Sequence, residues 1–330
     1  MQYKTIRFVM FQEKKVMRKY IYLIISLLLI IICTNSCKRA DLTPAYILIT
    51  PEDFENCIDV SNFNETHDQN FDQDHLLALT RHKFTHVNVY VDNKNLGCWT
   101  LPCKVPVLDV NNTDSCTLVL LPAFPMSGMA NTISGYPFIN ITRQRVLLQK
   151  DHVYEVAQNR PKYVYSEYAH FPYFETFSNS TSFSPVPTPD TNQTNITFLP
   201  VAYEDKSVGE IVLNDNAGLH FDVQSTAFPV PVGSYRVVLE VRYKTEGKMD
   251  ISAKMSNAYY PHRWYSIGGI NASPNEWKTI HFDLTNTINS NHGTGGNTTE
   301  LTLMLAGVGK EGKDTHFYID DIKVVYIRTA

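Results

Sequence analysis

The chain has 330 residues, 43% of them hydrophobic and 12% aromatic, with 29 Lys and Arg against 33 Asp and Glu. Beyond Cys37 the count is 23 basic to 32 acidic residues, which argues against a nucleic-acid partner because that would call for a basic patch. That portion is too long for one small core, so two domains are expected.

Residues 1–37 read as a targeting segment. Lys14, Lys15, Arg18 and Lys19 precede an apolar run from Ile21 to Cys33, long enough for an export signal and too short to span a bilayer. Met17 is an alternative start to Met1. Thr34-Asn35-Ser36-Cys37 resembles the lipobox of bacterial lipoproteins, with Thr34 and Asn35 departing from the strict pattern. The resemblance implies lipidation of Cys37 and anchoring to the outer membrane without a protein span. It leaves open the periplasmic face or the cell surface; Lys38-Arg39-Ala40-Asp41 tilts weakly towards the former. Cys57, Cys98, Cys103 and Cys116 then lie in an oxidising compartment, where three disulfide pairings are possible.

Strand signals dominate from Tyr46 onward. In Thr85 to Asp92, Val87, Val89 and Val91 alternate with polar neighbours, a turn follows at Asp92 to Asn95, and Leu96 to Leu101 returns as its hairpin partner. Thr117 to Leu121 is a further strand, expected to stop at Pro122. Asp74 to His82 is the best helical stretch. The block from Val89 to Phe124 resembles PEGA-type surface modules. With Pro44-Ala45-Tyr46-Ile47 and Tyr136-Pro137-Phe138 it is also similar to the N-terminal region of two-domain envelope lipoproteins. The expected domains are 38–167, a β-sandwich, and 168–330, separated by an aromatic-rich boundary from Pro161 to Phe177.

In the second half, Val237, Leu239, Val241 and Tyr243 share one face of a strand, with Arg236, Glu240, Arg242 and Lys244 on the other. Ile280, Phe282 and Leu284 are in phase. Phe317 and Ile319 fall out of phase with Ile322 and Val324, so both pairs can face one core only through a β-bulge at Asp320-Asp321. Phe174-Glu175-Thr176-Phe177 and the closing Phe317-Tyr318-Ile319-Asp320-Asp321-Ile322 resemble the first and last strands of carbohydrate-binding, galactose-binding-like jelly rolls. The whole is therefore expected to be all-β, two tandem antiparallel β-sandwiches, the C-terminal one a jelly roll.

That resemblance implies a structural Ca²⁺ held by Glu175 and Asp320. It also implies carbohydrate as the ligand class. Asn257 to Tyr265 is the richest aromatic stretch beyond the boundary, where Tyr259, Tyr260 and Trp264 could offer flat faces to sugar rings and His262 and Arg263 supply hydrogen bonds. Hairpin aromatics that cover a sandwich edge, or pack against the first domain, are the bland alternative. Gly307 to Gly312 matches G-x-G-x-x-G by letter, but a strand follows it, so it reads as a hairpin loop. His82 and His86 straddle a strand start and do not suggest a metal pair. With no catalytic motif in view, the expected function is a non-catalytic, glycan-binding lipoprotein. The alternatives are a scaffold subunit of an envelope secretion or adhesion complex, binding protein through the aromatic boundary and loops, and more weakly an envelope glycoside-processing enzyme.

Overall fold

The computed structural model describes residues 43–327, except 68, 109, 111, 179, 188–195, 204–205, 234–235 and 294–295. Cys37 and the export segment lie outside the described residues. No helix among the described residues is long and apolar enough to cross a membrane.

Among the described residues the first half contains ten strands: β1 (Ala45–Ile49), β2 (Ile58–Asp59), β3 (His86–Val91), β4 (Lys94–Thr100), β5 (Cys103–Val107), β6 (Cys116–Pro125), β7 (Ile133–Gly135), β8 (Gln144–Val146), β9 (Val153–Glu155) and β10 (Tyr163–Val164). Two short helices intervene, α1 (Phe63–His67) and α2 (Gln73–Ala78). Sheet order β4-β3-β6-β7, with β8 also on β6, faces a three-stranded sheet β5-β1-β9 across a common core that includes Ile47, Val87, Val89, Leu118 and Leu120. The β3–β4 hairpin forms as the alternation predicts. Its turn rests on Asp92 and Asn93, both at positive φ (48° and 65°), a conformation that Asn and Asp tolerate better than most residues.

Strand β6 does not stop at Pro122 but continues to Pro125. On the edge opposite β3, β8 pairs with residues 116–118 and β7 with residues 123–125. Pro122 sits in the gap between them, where its missing N–H interrupts no ladder on that edge. The helical expectation over Asp74 to His82 shrinks to α2, capped by Asp72, whose carboxylate accepts from the His75 N–H at 3.0 Å.

Twelve strands follow: β11 (Ala169–Glu175), β12 (Ser184–Pro185), β13 (Leu199–Tyr203), β14 (Lys206–Leu213), β15 (His220–Gln224), β16 (Phe228–Pro231), β17 (Arg236–Thr245), β18 (Met249–Met255), β19 (Tyr265–Ile270), β20 (Lys278–Asp283), β21 (Thr298–Val308) and β22 (Thr315–Ile327). A helix, α3 (Thr285–Asn291), precedes β21. One six-stranded sheet runs β13-β14-β22-β17-β20 with β11 also on β22. The other runs β12-β15-β21-β18-β19 with β16 also on β21. All their pairings are antiparallel, and together they form the jelly-roll sandwich. Leu239, Val241, Ile319 and Val324 of the first sheet meet Ile251, Ala253, Leu303 and Leu305 of the second.

The bulge lies where the phase break places it. Glu240 pairs with Lys323 and Arg242 with Asp320, so Asp321 and Ile322 together face Val241 alone, and Asp321 takes φ 48°. The register reset lets Phe317, Ile319, Ile322 and Val324 all enter one core. Gly307 lies in β21, where Phe221 and Phe317 press on the space a Cβ would fill. Its glycine serves packing, and no helix follows it.

Val238 and Val325 project from the opposite face of the β17–β22 sheet and belong to the core of the first half. The sheet is thus apolar on one whole face and on part of the other. The described residues from Ala45 onward consequently pack as one compact unit with two cores sharing that sheet. The aromatic boundary is internal: Tyr163, Tyr165, Phe171, Tyr173 and Phe177 are buried, leaving Tyr168 as its exposed ring. A partner-binding role for this boundary therefore lacks the open surface it would need.

Candidate functional site

Three places on the β17–β22 layer and its neighbours gather chemically versatile side chains. The first is the loop between β18 and β19. Its backbone is pinned to the end of α3: the Tyr259 N–H donates to the Asn291 carbonyl at 3.2 Å, and Ala258 forms a bridge with His292. The loop closes on itself through Arg263 N–H to the Tyr260 carbonyl at 3.0 Å. With the backbone tied down on both sides, Tyr259 and Tyr260 stand out 65% and 64% exposed. His262 and Arg263 are exposed beside them, and the guanidinium of Arg263 lies over Tyr265 at 5.5 Å. Trp264 is half-buried with the Lys254 ammonium 4.7 Å above its ring. Among the five residues singled out from sequence, the two tyrosines present open surface, whereas Trp264 already has a cation against it.

The second place is an open cleft of about 530 Å³ between α2 and the bulge of β22. The buried Asp320 carboxylate faces three cations. Arg242 Nη1 donates at 3.1 Å, Arg81 Nη1 stands at 3.6 Å, and Lys206 is in direct contact. Asp321 receives Arg81 at 3.3 Å and Arg242 at 3.5 Å. Arg242 and Lys206 also lie over Trp277, at 4.8 and 5.4 Å, and Trp277 meets Tyr203 edge-on at 5.8 Å. This face of the sheet is therefore aromatic, but cations already cover its main ring.

The calcium expectation can be tested against these contacts. Glu175 Oε1 accepts from Phe177 N–H at 2.9 Å, and Oε2 accepts from the Ser182 N–H and hydroxyl at 2.6 and 2.7 Å. Glu175 therefore ties down its own loop. Asp320 is surrounded by positive side chains, whereas a hard cation needs several converging oxygens. The residues present do not fit the ion.

The third place is buried and was not foreseen. Glu240 (0% exposed) and Lys323 (1%) face away from the jelly-roll core, and the first half closes over them. Lys323 Nζ lies 3.1 Å from Glu240 Oε2, an ion pair whose angle falls short of a hydrogen bond. His82 Nδ1 is 3.7 Å and His281 Nε2 3.8 Å from the same oxygen. His281 is stacked on Phe124 at 3.6 Å. Burial pushes the imidazoles down, His82 to about 3 and His281 to about 4, so both are neutral near pH 7. For Glu240, burial pushes the carboxyl up, but the surrounding charges, Lys323 first, outweigh it and hold it down at about 2. Because the imidazoles are neutral, Lys323 is the counter-charge that keeps the carboxylate ionised. Burial next to that carboxylate also raises Tyr136 and Tyr165 well above the usual phenol range.

Glu240 and His281 occupy positions that strand phase alone assigns to solvent. One signal pointed the other way: Val238 and Val325 carry apolar side chains on that same outward phase, a mark of a second layer above the sheet.

The four cysteines of the first half are free thiols, with Cys57 buried and Cys98 exposed.

No protein-family model matches the chain, and no curated protein matches it. Solved structures do. The C-terminal family 22 carbohydrate-binding module of Clostridium thermocellum Xyn10B aligns at 15% identity over 48% of this chain and 95% of the module, with a TM-score of 0.32. The CBM22-2 xylan-binding domain of Paenibacillus barcinonensis Xyn10C aligns at 11% identity over 48% and 99%, with a TM-score of 0.30. A two-module Clostridium thermocellum xylanase fragment in complex with xylohexaose aligns at 12% identity over 49% of this chain and 29% of its own length, with a TM-score of 0.34. The all-β architecture rests on the strand pairings described above.

Proposed function

We propose that this chain is a non-catalytic, glycan-binding lipoprotein of the outer membrane, anchored through Cys37 and recognising sugar rings with the β18–β19 loop. The observation that carries the reading is the adjacent pair Tyr259 and Tyr260. Both are about two-thirds exposed on a loop whose backbone is fastened to α3, with His262 and Arg263 beside them. A tyrosine presents an apolar face with a polar tip, which suits the C–H faces and hydroxyl rim of a pyranose. Pre-fastening the loop lowers the ordering cost on binding. The aromatic cleft at Trp277 is a weaker candidate for stacking because Arg242 and Lys206 already lie over the ring.

The test is a glycan array followed by titration of the retained glycans. Tyr259→Ala/Tyr260→Ala is expected to weaken binding at least about tenfold, the equivalent of 1.4 kcal/mol. Undiminished binding by that variant would remove the loop from the reading. Incubation of the same glycans with the protein should release no reducing ends. Separately, a fatty-acid probe should label the wild type in a Gram-negative host and leave Cys37→Ser unlabelled.

A further inference from the structure

We propose that His82, Glu240 and His281 form a buried site for a divalent transition metal of the zinc class, which pins the first half of the chain to the β17–β22 sheet. The three donor atoms lie within 4.8 Å of one another, and two of the gaps are 3.7 and 3.8 Å. Ligand atoms around a tetrahedral zinc ion, at bonds of about 2.0–2.1 Å, stand about 3.3 Å apart. The two measured gaps therefore need to close by about half an ångström, and the gap between the two imidazoles, which is within 4.8 Å, by up to about 1.5 Å.

The second observation is the state of the donors. His82 Nδ1 and His281 Nε2 are buried and have no hydrogen-bond partner, and both are aimed at Glu240, a fully buried carboxylate balanced by Lys323 and neighboured by the Tyr136 hydroxyl. Unpaired polar atoms at that depth are costly, and here two imidazole nitrogens converge on one carboxylate. The surroundings of His82 also allow a ligand. Its Nε2 lies 2.9 Å from both the Leu79 carbonyl and the Tyr165 hydroxyl, and in the tautomer that donates from Nε2 to the carbonyl, Nδ1 presents a lone pair. An imidazole that ligates through one nitrogen while donating through the other to a backbone carbonyl is oriented as metal ligands usually are. Two imidazoles and one carboxylate make a nitrogen-rich set that favours zinc over calcium or magnesium.

Lys323 is the competitor. Its ammonium balances Glu240 at 3.1 Å and also lies 3.3 Å from the Ala78 carbonyl, towards which it can withdraw when an ion takes the centre. The pocket is thus already built around positive charge. His82 comes from the first half, and Glu240 and His281 come from β17 and β20, so one ion would cross-link segments far apart in sequence. Because the site is closed over, loading occurs as the two halves come together, and refolding is the appropriate way to fill it.

The experiment uses the mature chain, unfolded in chelator, refolded with or without Zn²⁺ or Co²⁺, and dialysed. Expected results are about one zinc per chain by atomic absorption, a higher melting temperature for the zinc-refolded sample, and visible absorption of tetrahedral Co²⁺ in the cobalt sample. His82→Gln and His281→Gln should each weaken zinc retention by more than about 100-fold, a loss of the size expected for altered ligand sets, while His86→Gln leaves it unchanged. Lys323→Met, which removes the competing ammonium, should bind zinc more tightly, and if it fails to fold in chelator, zinc should restore its folding. The proposal is overturned if refolded wild type holds less than about a tenth of an equivalent of zinc with no cobalt absorption. Stoichiometric retention by a His82→Gln/His281→Gln double variant overturns it as well.

Discussion

Lys323→Met, studied in chelator, exposes what the buried ion pair contributes. The substitution keeps most of the side-chain volume and removes the ammonium 3.1 Å from Glu240 Oε2. Glu240 is fully buried, and its neutral neighbours, His82, His281 and the Tyr136 hydroxyl, cannot replace the charge near pH 7. Breaking a buried pair from one side costs about 3–5 kcal/mol, because the remaining charge stays desolvated. For a unit of this size, with about 2.1 cal/mol/K of unfolding entropy per residue, that corresponds to a melting-temperature drop of roughly 5–8 °C. Replacing both partners, as in Glu240→Leu/Lys323→Met, removes the stranded charge and should recover stability to within about 1 kcal/mol of wild type or exceed it. Urea and thermal melts of the wild type, both single variants and the double variant give the coupling directly. If Lys323→Met melts within about 0.5 kcal/mol of wild type, the carboxylate is not desolvated as described and the closed interface is wrong.

Thiol labelling under native conditions should modify Cys98 first, because it is exposed, and leave Cys57 untouched. Burial pushes the Cys57 thiol up to about 12, so at pH 8 it is protonated as well as inaccessible and should react only when the chain unfolds. Asp321→Val should destabilise by about 1–2 kcal/mol from backbone strain alone, since φ 48° disfavours a branched side chain. Asp321→Gly keeps the conformation and loses only the contacts to Arg81 and Arg242, so it should melt above the valine variant. Gly307→Ala should cost about 1–3 kcal/mol by driving a methyl into Phe221 and Phe317, measured by the same melts.

Period-two alternation made the all-β class and the main strands legible, because one face of each main jelly-roll strand enters the jelly-roll core: Val237, Leu239, Val241 and Tyr243 enter it as their phase requires. The bulge at Asp320-Asp321 was legible for the same reason, since no unbulged strand could turn both Ile319 and Ile322 into one core. What one strand cannot reveal is what lies above its other face. Arg242 and Lys244 read as outward and are partly exposed, whereas Glu240, two residues away on the same phase, is sealed in by His82, His281 and Lys323 from distant segments. Pairings across such sequence distances leave no periodic trace. The loop tyrosines were legible as an aromatic-rich turn. Their exposure, and the covering of Trp264 by Lys254, follow from tertiary contacts with α3 and β18.

Binding of the mature protein to arrayed bacterial and plant polysaccharides, wild type against Tyr259→Ala/Tyr260→Ala, tests the glycan-binding reading most directly. The account predicts retention of at least one glycan class by the wild type, and its loss in a variant that melts within about 0.5 kcal/mol of wild type, as exposed substitutions usually do. A wild-type protein that retains no glycan, or a double variant that retains the same glycans as tightly, would contradict it.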